Sequence, residues 1–420
     1  MHETEKEIEK VILCGVHTGS LNTLEDTTEE SMTELRELAR TAEAEVVGEI
    51  VQNKERPETA TYFGEGKLEE LRIAAQSLDA NLLIFDDELT GSQIRNIENY
   101  TGVRTIDRSS LILDIFAKRA MSKEGKIQVE LAQLRYNLPR LIGTGKSLSR
   151  LGGGIGTRGP GETKLESDRR HIYRRINALE DDLKEIDSHR NLLRARRDKE
   201  NVVCAALVGY TNAGKSTILN YFTSADVLAK DMLFATLDPT VRKIELSDGR
   251  NAVLTDTVGF IRKLPHHLIE AFKSTLDEAV LADVLVHVID SSNPEMQSQM
   301  RVVEKLIEEL GCKAKRVIAV FNKCDAAPTL SPRPEGSYTD YVSVSAKTGE
   351  GMDKLLELLE DALPGKKKEI TLLIPYSDSK IAALLHNDEV ILSENYEAEG
   401  TKITLLADSA LIGRMEKYII

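Results

Sequence analysis

The sequence predicts a multidomain α/β protein, and three observations carry that prediction. Short apolar β-runs alternate with amphipathic helical stretches through residues 1–121 and again through 201–365, a pattern that builds parallel sheets with crossover helices. Between those blocks, leucines and isoleucines recur at heptad spacing, which marks long paired helices. At 420 residues the chain exceeds one ordinary domain. We therefore divide it into an N-terminal α/β domain (1–121), an antiparallel helical hairpin (122–200), a second α/β domain (201–365) and a small α+β module (366–420).

In the first block the strands are VILCGV (11–16), EVVGEIV (45–51), NLLIFD (81–86) and VRTID (103–107). The helices between them are TEESMTELRELART (28–41), GKLEELRIAAQSL (66–78) and SQIRNIENY (92–100). In the hairpin, Ile127, Leu131, Leu134, Leu138 and Leu141 form one seam. Pro139 is expected to break or kink that first helix, because it lacks the N–H of the helical ladder. Leu165, Ile172, Ile176, Leu179, Leu183, Ile186 and Leu193 form the second seam, on a helix of about 163–199 and on the order of 55 Å long. In the tail, EITLLIPY, EVILSENY and TKITLLA read as strands, with helices near 378–386 and 408–418.

The loop between the two hairpin helices reads RLGGGIGTRGPGETK (150–164), and six of the ten residues from Gly152 to Gly161 are glycine. Such a stretch is costly to order alone. From Gly145 to Arg175, eight basic residues (Lys146, Arg150, Arg158, Lys164, Arg169, Arg170, Arg174, Arg175) face three acids (Glu162, Glu166, Asp168), a local balance of +5 in a chain of net charge −14. A cationic tip on a helical arm suits a polyanionic crevice, RNA above all. A solvated linker, or a structural spacer, is the plainer reading of the same composition.

Composition narrows the class. The chain is 41% hydrophobic and 30% charged, as soluble globular proteins are. No run approaches the roughly 18 apolar residues of a membrane span, and the acidic start MHETEKEIEK is unlike a signal peptide. The cysteines, Cys14, Cys204, Cys312 and Cys324, are scattered. Buried thiols fit Cys14 and Cys204 better than a metal site or disulfides do, so a reducing cytoplasm is expected.

The second α/β block carries the chemistry. After the apolar run NVVCAALV come Gly209-Tyr210-Thr211-Asn212-Ala213-Gly214-Lys215-Ser216 and then Thr217. This is the phosphate loop GxxxxGKS in its strand-to-helix setting. Its backbone N–H groups and the helix N-terminus cradle phosphates. Lys215 is expected to reach the β and γ phosphates and Ser216 to ligate Mg²⁺. Asn322-Lys323-Cys324-Asp325 follows the strand RVIAVF. The Asp325 carboxylate only accepts, matching the paired donors of guanine and not adenine. Asn322 and Lys323 would brace the loop and cover the base, and Ser345-Ala346-Lys347 would meet the guanine oxygen.

Asp256-Thr257-Val258-Gly259 follows the strand NAVLT and reads as switch II. Asp256 would hold Mg²⁺ through water, and the Gly259 N–H would bond the γ-phosphate. Between phosphate loop and switch II lie Leu233, Phe234-Ala235-Thr236-Leu237-Asp238, Pro239 and Thr240. Thr236 is the expected switch I threonine, with Thr240 as its competitor. Loss of the γ-phosphate would release both switches. Lys215, Thr236 and Gly259 are thus the residues expected to act on the transferred phosphoryl group, and Ser216, Thr236 and Asp256 to hold the metal. The order of the five motifs makes this a P-loop, Ras-like G domain binding GTP and GDP. Where Ras-type proteins place a water-orienting Gln, this chain has Phe260. A phenyl ring neither accepts nor donates a proton, so slow intrinsic hydrolysis and a stimulating partner are expected. His266 and His267, just after switch II, read as a solvated helix start.

On these residues the chain resembles the HflX family of translational GTPases. The resemblance rests on the α/β N-domain with RPETATYFGEGKLEEL (56–71), the segment RLGGGIGTRGPGETKLE (150–166), and GYTNAGKS, FATLD and DTVGFI in the G domain. It implies binding to the large ribosomal subunit, hydrolysis stimulated by ribosomes, and rescue or splitting of stalled ribosomes under stress. It implies that Gly152–Gly161 and Arg158 approach ribosomal RNA and that a hydrophobic residue replaces the catalytic Gln. Separately, a monomer is expected. In some members it also implies ATP at the N-domain. Gly64-Glu65-Gly66-Lys67 is a weak hint of that, and a plain strand-to-helix turn reads it better. The competing functions are a switch acting on a protein effector, with the arm as a dimerising coiled coil, and ATP-dependent remodelling of ribosomal RNA by the N-domain.

Overall fold

The structure, a computed structural model, describes residues 8–18, 28–149, 160–199, 202–223, 233–246, 250–265, 268, 273–312, 316–327, 334, 336, 338–365, 368–388, 391–407 and 409–420. The loop from Arg150 to Gly159 and the pair His266 and His267 lie outside these residues, as do the side chains of Lys146 and Lys164.

The N-terminal unit runs β1 (Lys10–His17), α1 (Thr28–Thr41), β2 (Glu45–Asn53), α2 (Glu65–Ser77), β3 (Leu82–Phe85), α3 (Gly91–Thr101), β4 (Arg104–Asp107) and α4 (Arg108–Arg119). Its four strands are parallel in the order β2-β1-β3-β4. Strand periodicity sorts β1 between two faces. Ile12, Cys14 and Val16 pack with Phe63, Leu68, Leu71 and Phe85, and Val11 and Leu13 pack with Met32, Leu35, Leu38 and Ile84. Helices on both faces bury such a sheet. The α4 helix was not among the expected elements. Leu111, Ile112, Leu113, Ile115 and Phe116 are all buried and only a narrow strip at Asp114, Ala117 and Lys118 is exposed, so its period is a faint signal. The stretch Gly64–Lys67 is the start of α2. The Gly64 N–H donates to the Gln52 side chain at 3.0 Å, and Lys67 pairs with Glu70 at 2.9 Å.

The arm is α5 (Lys123–Ser149) against α6 (Pro160–Lys199). Ile127, Leu131, Ile176 and Leu179 are buried between them, flanked by Leu134, Leu138, Ile172, Leu183 and Ile186. The expected break at Pro139 does not occur, and α5 continues through it to Ser149. Pro139 withdraws only the one N–H that would meet the Arg135 carbonyl, and Leu134 and Leu138, packed against the facing helix, hold the turn in place. Arg190 with Glu124 at 2.5 Å and Arg175 with Glu130 at 2.6 Å tie the two helices along their length.

The second α/β unit runs β5 (Val203–Gly209), α7 (Lys215–Thr223), β6 (Thr240–Glu245), β7 (Asn251–Asp256), β8 (Val284–Asp290), β9 (Arg316–Asn322) and β10 (Asp340–Ser343), with helices Lys273–Val280, Met296–Glu309 and Met352–Ala362. The strand order is β10-β9-β8-β5-β7-β6, and β6 alone runs antiparallel to its neighbour. The tail forms β11 (Lys368–Ile374), β12 (Ile391–Glu397) and β13 (Gly400–Ala407) in the order β11-β13-β12, antiparallel throughout. Helices Ser379–Asp388 and Ser409–Met415 cover it. Among the four cysteines Cys14 is buried and the others are half-buried, all as free thiols.

Buried charges join the two α/β units. Arg108 donates to Asp86 at 2.8 Å and to Glu34 at 2.6 Å with a side chain only 2% exposed. The other oxygen of Glu34 accepts from the Tyr210 hydroxyl. Lys263 reaches Asp86 and Asp87, and Arg262 meets Glu30 at 2.8 Å.

Within the second unit, the β8 imidazole of His287 is buried and stacks on Tyr338 at 5.8 Å, with its Nδ1 2.6 Å from the Tyr338 hydroxyl. Burial, with the Lys215 charge adding to it, pulls this imidazole from 6.5 down to about 3. The folded state therefore keeps it neutral where the unfolded chain takes up a proton. Its contribution is complete above pH 6.5 and is lost as the pH falls from 6.5 towards about 3. Urea midpoints of the wild type should drop between pH 7.5 and 5.5 by more than those of His287→Gln, a comparison made at ~0.15 M salt.

Candidate active site

The site is built where β5, β7 and β9 end. Leaving β5, the chain turns at Gly209 and wraps into the N-terminus of α7. At Gly214 the backbone has φ +95°, and a Cβ there would lie 2.2 Å from the Asn322 amide nitrogen. Only glycine meets both demands. Lys215 is buried, and its ammonium donates to the carbonyls of Gly209 at 3.1 Å and Tyr210 at 3.0 Å. Burial lowers it to about 8, against the opposing pull of Asp256. It is a poised cation facing a cavity.

Switch II is stitched to this loop by backbone. The Phe260 N–H donates to the Gly209 carbonyl at 3.1 Å, and the Thr211 N–H donates to the Phe260 carbonyl at 2.8 Å. The Phe260 ring is buried with Tyr210, Val258 and Ile261. Switch I approaches from the other side, where the Phe234 N–H donates to the Thr211 hydroxyl at 2.8 Å.

Three oxygens converge below the loop. The Ser216 hydroxyl donates to Asp256 Oδ2 at 2.6 Å and lies 2.8 Å from the Thr236 hydroxyl. Asp256 Oδ1 is buried with no partner in hydrogen-bond range. Burial raises this carboxyl, while Lys215, Ser216 and Thr236 draw it down. Hard oxygen donors with one carboxylate oxygen to spare fit a magnesium ion. Thr240 instead opens β6 and pairs in register with Asp256.

At the far end Asn322 joins three loops. Its amide N–H donates to the Ala213 carbonyl at 2.9 Å, and its Oδ1 accepts the Ala346 N–H at 3.0 Å. Lys323 adopts φ 62° and pairs with Asp290 at 2.7 Å. Asp325 sits on the short turn Cys324–Ala326.

One cavity of about 570 Å³ gathers most of these residues. Its lining comprises Thr211, Asn212, Gly214, Lys215, Ser216, Thr217, Phe234, Ala235, Thr236, Thr257, Gly259, Asn322, Lys323, Asp325, Ser345, Ala346 and Lys347. Ala326 also lines it, a residue the motifs do not include. Gly209, Tyr210, Ala213, Leu237, Asp238, Asp256, Val258 and Cys324 do not line it. Tyr210 turns its hydroxyl away, towards Glu34 and the Arg262 N–H. Leu237 and Val258 join the core. Asp238 points at the root of the arm, where it accepts the N–H groups of Met121 and Ser122, each at 2.9 Å.

Sequence reasoning also missed the bracing residues Glu34, Asp86, Asp290, Arg262 and Lys263. The acid pair Asp86-Asp87 at the carboxyl end of a parallel strand was a readable signal. Glu34, inside an ordinary amphipathic helix, gave none.

Comparison with known proteins agrees with this layout. A family model described as "GTP-binding GTPase N-terminal" matches residues 29–117, one described as "GTP-binding GTPase Middle Region" matches 119–197, and one described as "50S ribosome-binding GTPase" matches 204–323. A GTPase HflX of Caldanaerobacter subterraneus subsp. tengcongensis is 49% identical over 100% of this chain and 96% of its own. That of Escherichia coli is 41% identical over 89% of this chain and 88% of its own. Among solved structures, a GTP-binding protein from the archaeon Sulfolobus solfataricus in complex with GDP covers 84% of this chain and 98% of its own, at 25% identity and a TM-score of 0.44.

Removing the Asn322 amide leaves the Ala213 carbonyl and the Ala346 N–H buried without their partner. Asn322→Ala should lower GTP affinity by about 10- to 100-fold, since each stranded group costs about 1–3 kcal/mol. Calorimetric titration with GTP checks this against wild type.

Proposed function

This chain belongs to the HflX family of GTPases and hydrolyses GTP to GDP, and from that premise we propose that it acts on the large ribosomal subunit, splitting or rescuing ribosomes under stress. One observation carries the reading. A G-domain cavity and an arm ending in the glycine-rich segment 150–161 occur in one chain, and the G domain matches a family described as binding the 50S ribosome. The cationic composition of this segment suits ribosomal RNA, and the chain works as a cytoplasmic monomer. Among the described residues no helix is long and apolar enough to cross a membrane.

In this reading the N–H groups of Asn212 to Thr217 and the Lys215 ammonium bind the β and γ phosphates. Asp325 selects guanine by accepting from its two donors, while Asn322, Lys323 and the Ser345–Lys347 backbone hold the base loop. Ser216, Thr236 and Asp256 would hold magnesium. When bound, that ion neutralises charge on the phosphoryl oxygens. Gly259 offers its N–H to the γ-phosphate. The position after switch II is held by Phe260, whose ring is packed in the core and cannot orient the attacking water. Hydrolysis is therefore slow until a partner completes the site.

The direct test measures GTP hydrolysis with and without large ribosomal subunits, in wild type and in a deletion of Gly152–Gly161. The expected result is stimulation of at least ~10-fold, lost in the deletion. Equal rates with and without subunits would overturn the ribosomal reading in favour of a protein effector. A second test addresses the base. Asp325→Asn should weaken GTP binding at least ~100-fold and improve binding of xanthosine triphosphate, which offers a carbonyl where guanine has an amine. Undiminished GTP binding would remove Asp325 from the base site.

A further inference from the structure

Asp238 belongs to switch I by sequence, two residues after Thr236, yet its carboxylate lies outside the nucleotide cavity. Its Oδ2 accepts the N–H groups of Met121 and Ser122, both at 2.9 Å, and its Oδ1 accepts the Ser122 hydroxyl. Ser122 is the residue before α5, and its own hydroxyl oxygen accepts the Gly125 N–H at 2.8 Å. The first N–H groups of a helix have no partner within the helix, and a carboxylate there also meets the positive end of the helix dipole. An acid from switch I thus completes the N-terminal cap of the arm helix.

Two further observations belong to the same joint. A Cβ on Gly125 would lie 2.3 Å from Asp238 Oδ1, so only glycine at this position of α5 admits the carboxylate. Phe234, at the start of switch I, packs edge-on against Phe116 at 4.7 Å, near the end of α4. Phe234 holds φ 54°, a left-handed conformation that persists only where surrounding contacts fix it. Its N–H bond to Thr211 and its seat on Phe116 are those contacts.

We propose that Asp238 is a positioning residue that couples the nucleotide to the arm: switch I, while Thr236 stays at Ser216, caps α5, and release of switch I uncaps it. The proposal rests on the reading of Thr236 as the residue that answers to the γ-phosphate. It adds the path by which that answer reaches the arm. The cap is made when Thr236 is 2.8 Å from Ser216, and only Leu237 separates Thr236 from Asp238. Movement of Thr236 on loss of the γ-phosphate therefore draws Asp238 off the Met121 and Ser122 N–H groups. The root of α5 then frays while its middle stays fixed, because Tyr136 and Arg140 remain bonded to Asp107.

The test is amide hydrogen exchange read by mass spectrometry on the full chain, following a peptide over residues 117–128. Samples carry magnesium with either GDP or a non-hydrolysable imido analogue of GTP. A fluorescent-nucleotide titration on the same samples reports occupancy, so failure of the nucleotide site registers there and failure of the link registers in the exchange. In wild type, the analogue should slow exchange of the peptide at least ~5-fold relative to GDP. Gly125→Ala displaces the carboxylate without touching the cavity, and Ala favours a helix over Gly by about 1 kcal/mol. Lost protection in that variant therefore cannot come from a weaker helix. It should bind both nucleotides within about twofold of wild type, yet lose the difference in exchange. Ser122→Ala should lose it too. Equal exchange of the wild-type peptide in both nucleotides, or a difference that survives in Gly125→Ala, would overturn the proposal.

Discussion

The arrangement of this molecule depends on one buried cation. Arg108, the first residue of α4, sits between Asp86 at the end of β3 and Glu34 on α1. Burial penalises the guanidinium, but the two carboxylates outweigh that penalty and keep it charged. A buried pair adds little over apolar residues of equal volume, while breaking one by truncation costs about 3–5 kcal/mol. Its value here is therefore placement. With Arg108 holding one oxygen each of Glu34 and Asp86, the remaining oxygens face the G domain. Glu34 takes the Tyr210 hydroxyl, and Asp86 takes Lys263 and Ser31. Burial lowers the proton affinity of the Lys263 ammonium, and Asp86 with Asp87 more than reverses that.

Both of those G-domain residues adjoin nucleotide motifs. Tyr210 is the second residue of the phosphate loop, and Lys263 follows switch II by four residues. The N-terminal domain thus grips the two segments whose backbones are cross-bonded through Phe260. Tyr210 binds the Arg262 N–H as well, at 2.9 Å, so one phenol ties the phosphate loop, switch II and α1. Tyr210 does not line the nucleotide cavity, and its hydroxyl is committed on the far side of the loop.

The readable parts of the sequence were those governed by local rules. Strand alternation and helix periodicity located the elements of both α/β units. The phosphate loop, switch II, the Asn322–Asp325 loop and Ser345–Lys347 gather around one cavity because each follows the carboxyl end of a parallel strand, where such sheets open their crevice, and switch I joins them just before antiparallel β6 begins. The heptad seam paired α5 with α6 through Ile127, Leu131, Ile176 and Leu179. What stayed hidden was non-local. Helix α4 exposes only a narrow strip at Asp114, Ala117 and Lys118. The continuation of α5 past Pro139 depends on the packing of Leu134 and Leu138 against the facing helix. Asp238 reads as a switch residue in the sequence, and only the fold brings it to Gly125. No spacing rule pairs residues more than a hundred positions apart.

The length of α5 gives its root a particular importance. Its 27 residues extend about 40 Å at the helical rise, from a base fixed by the G domain and the N-terminal domain to the start of the glycine-rich segment. Tyr136 and Arg140, held to Asp107, pin that rod near its middle, so fraying at the root is absorbed before it reaches the outer turns. The nucleotide therefore sets how firmly the arm is rooted and not where its far end points.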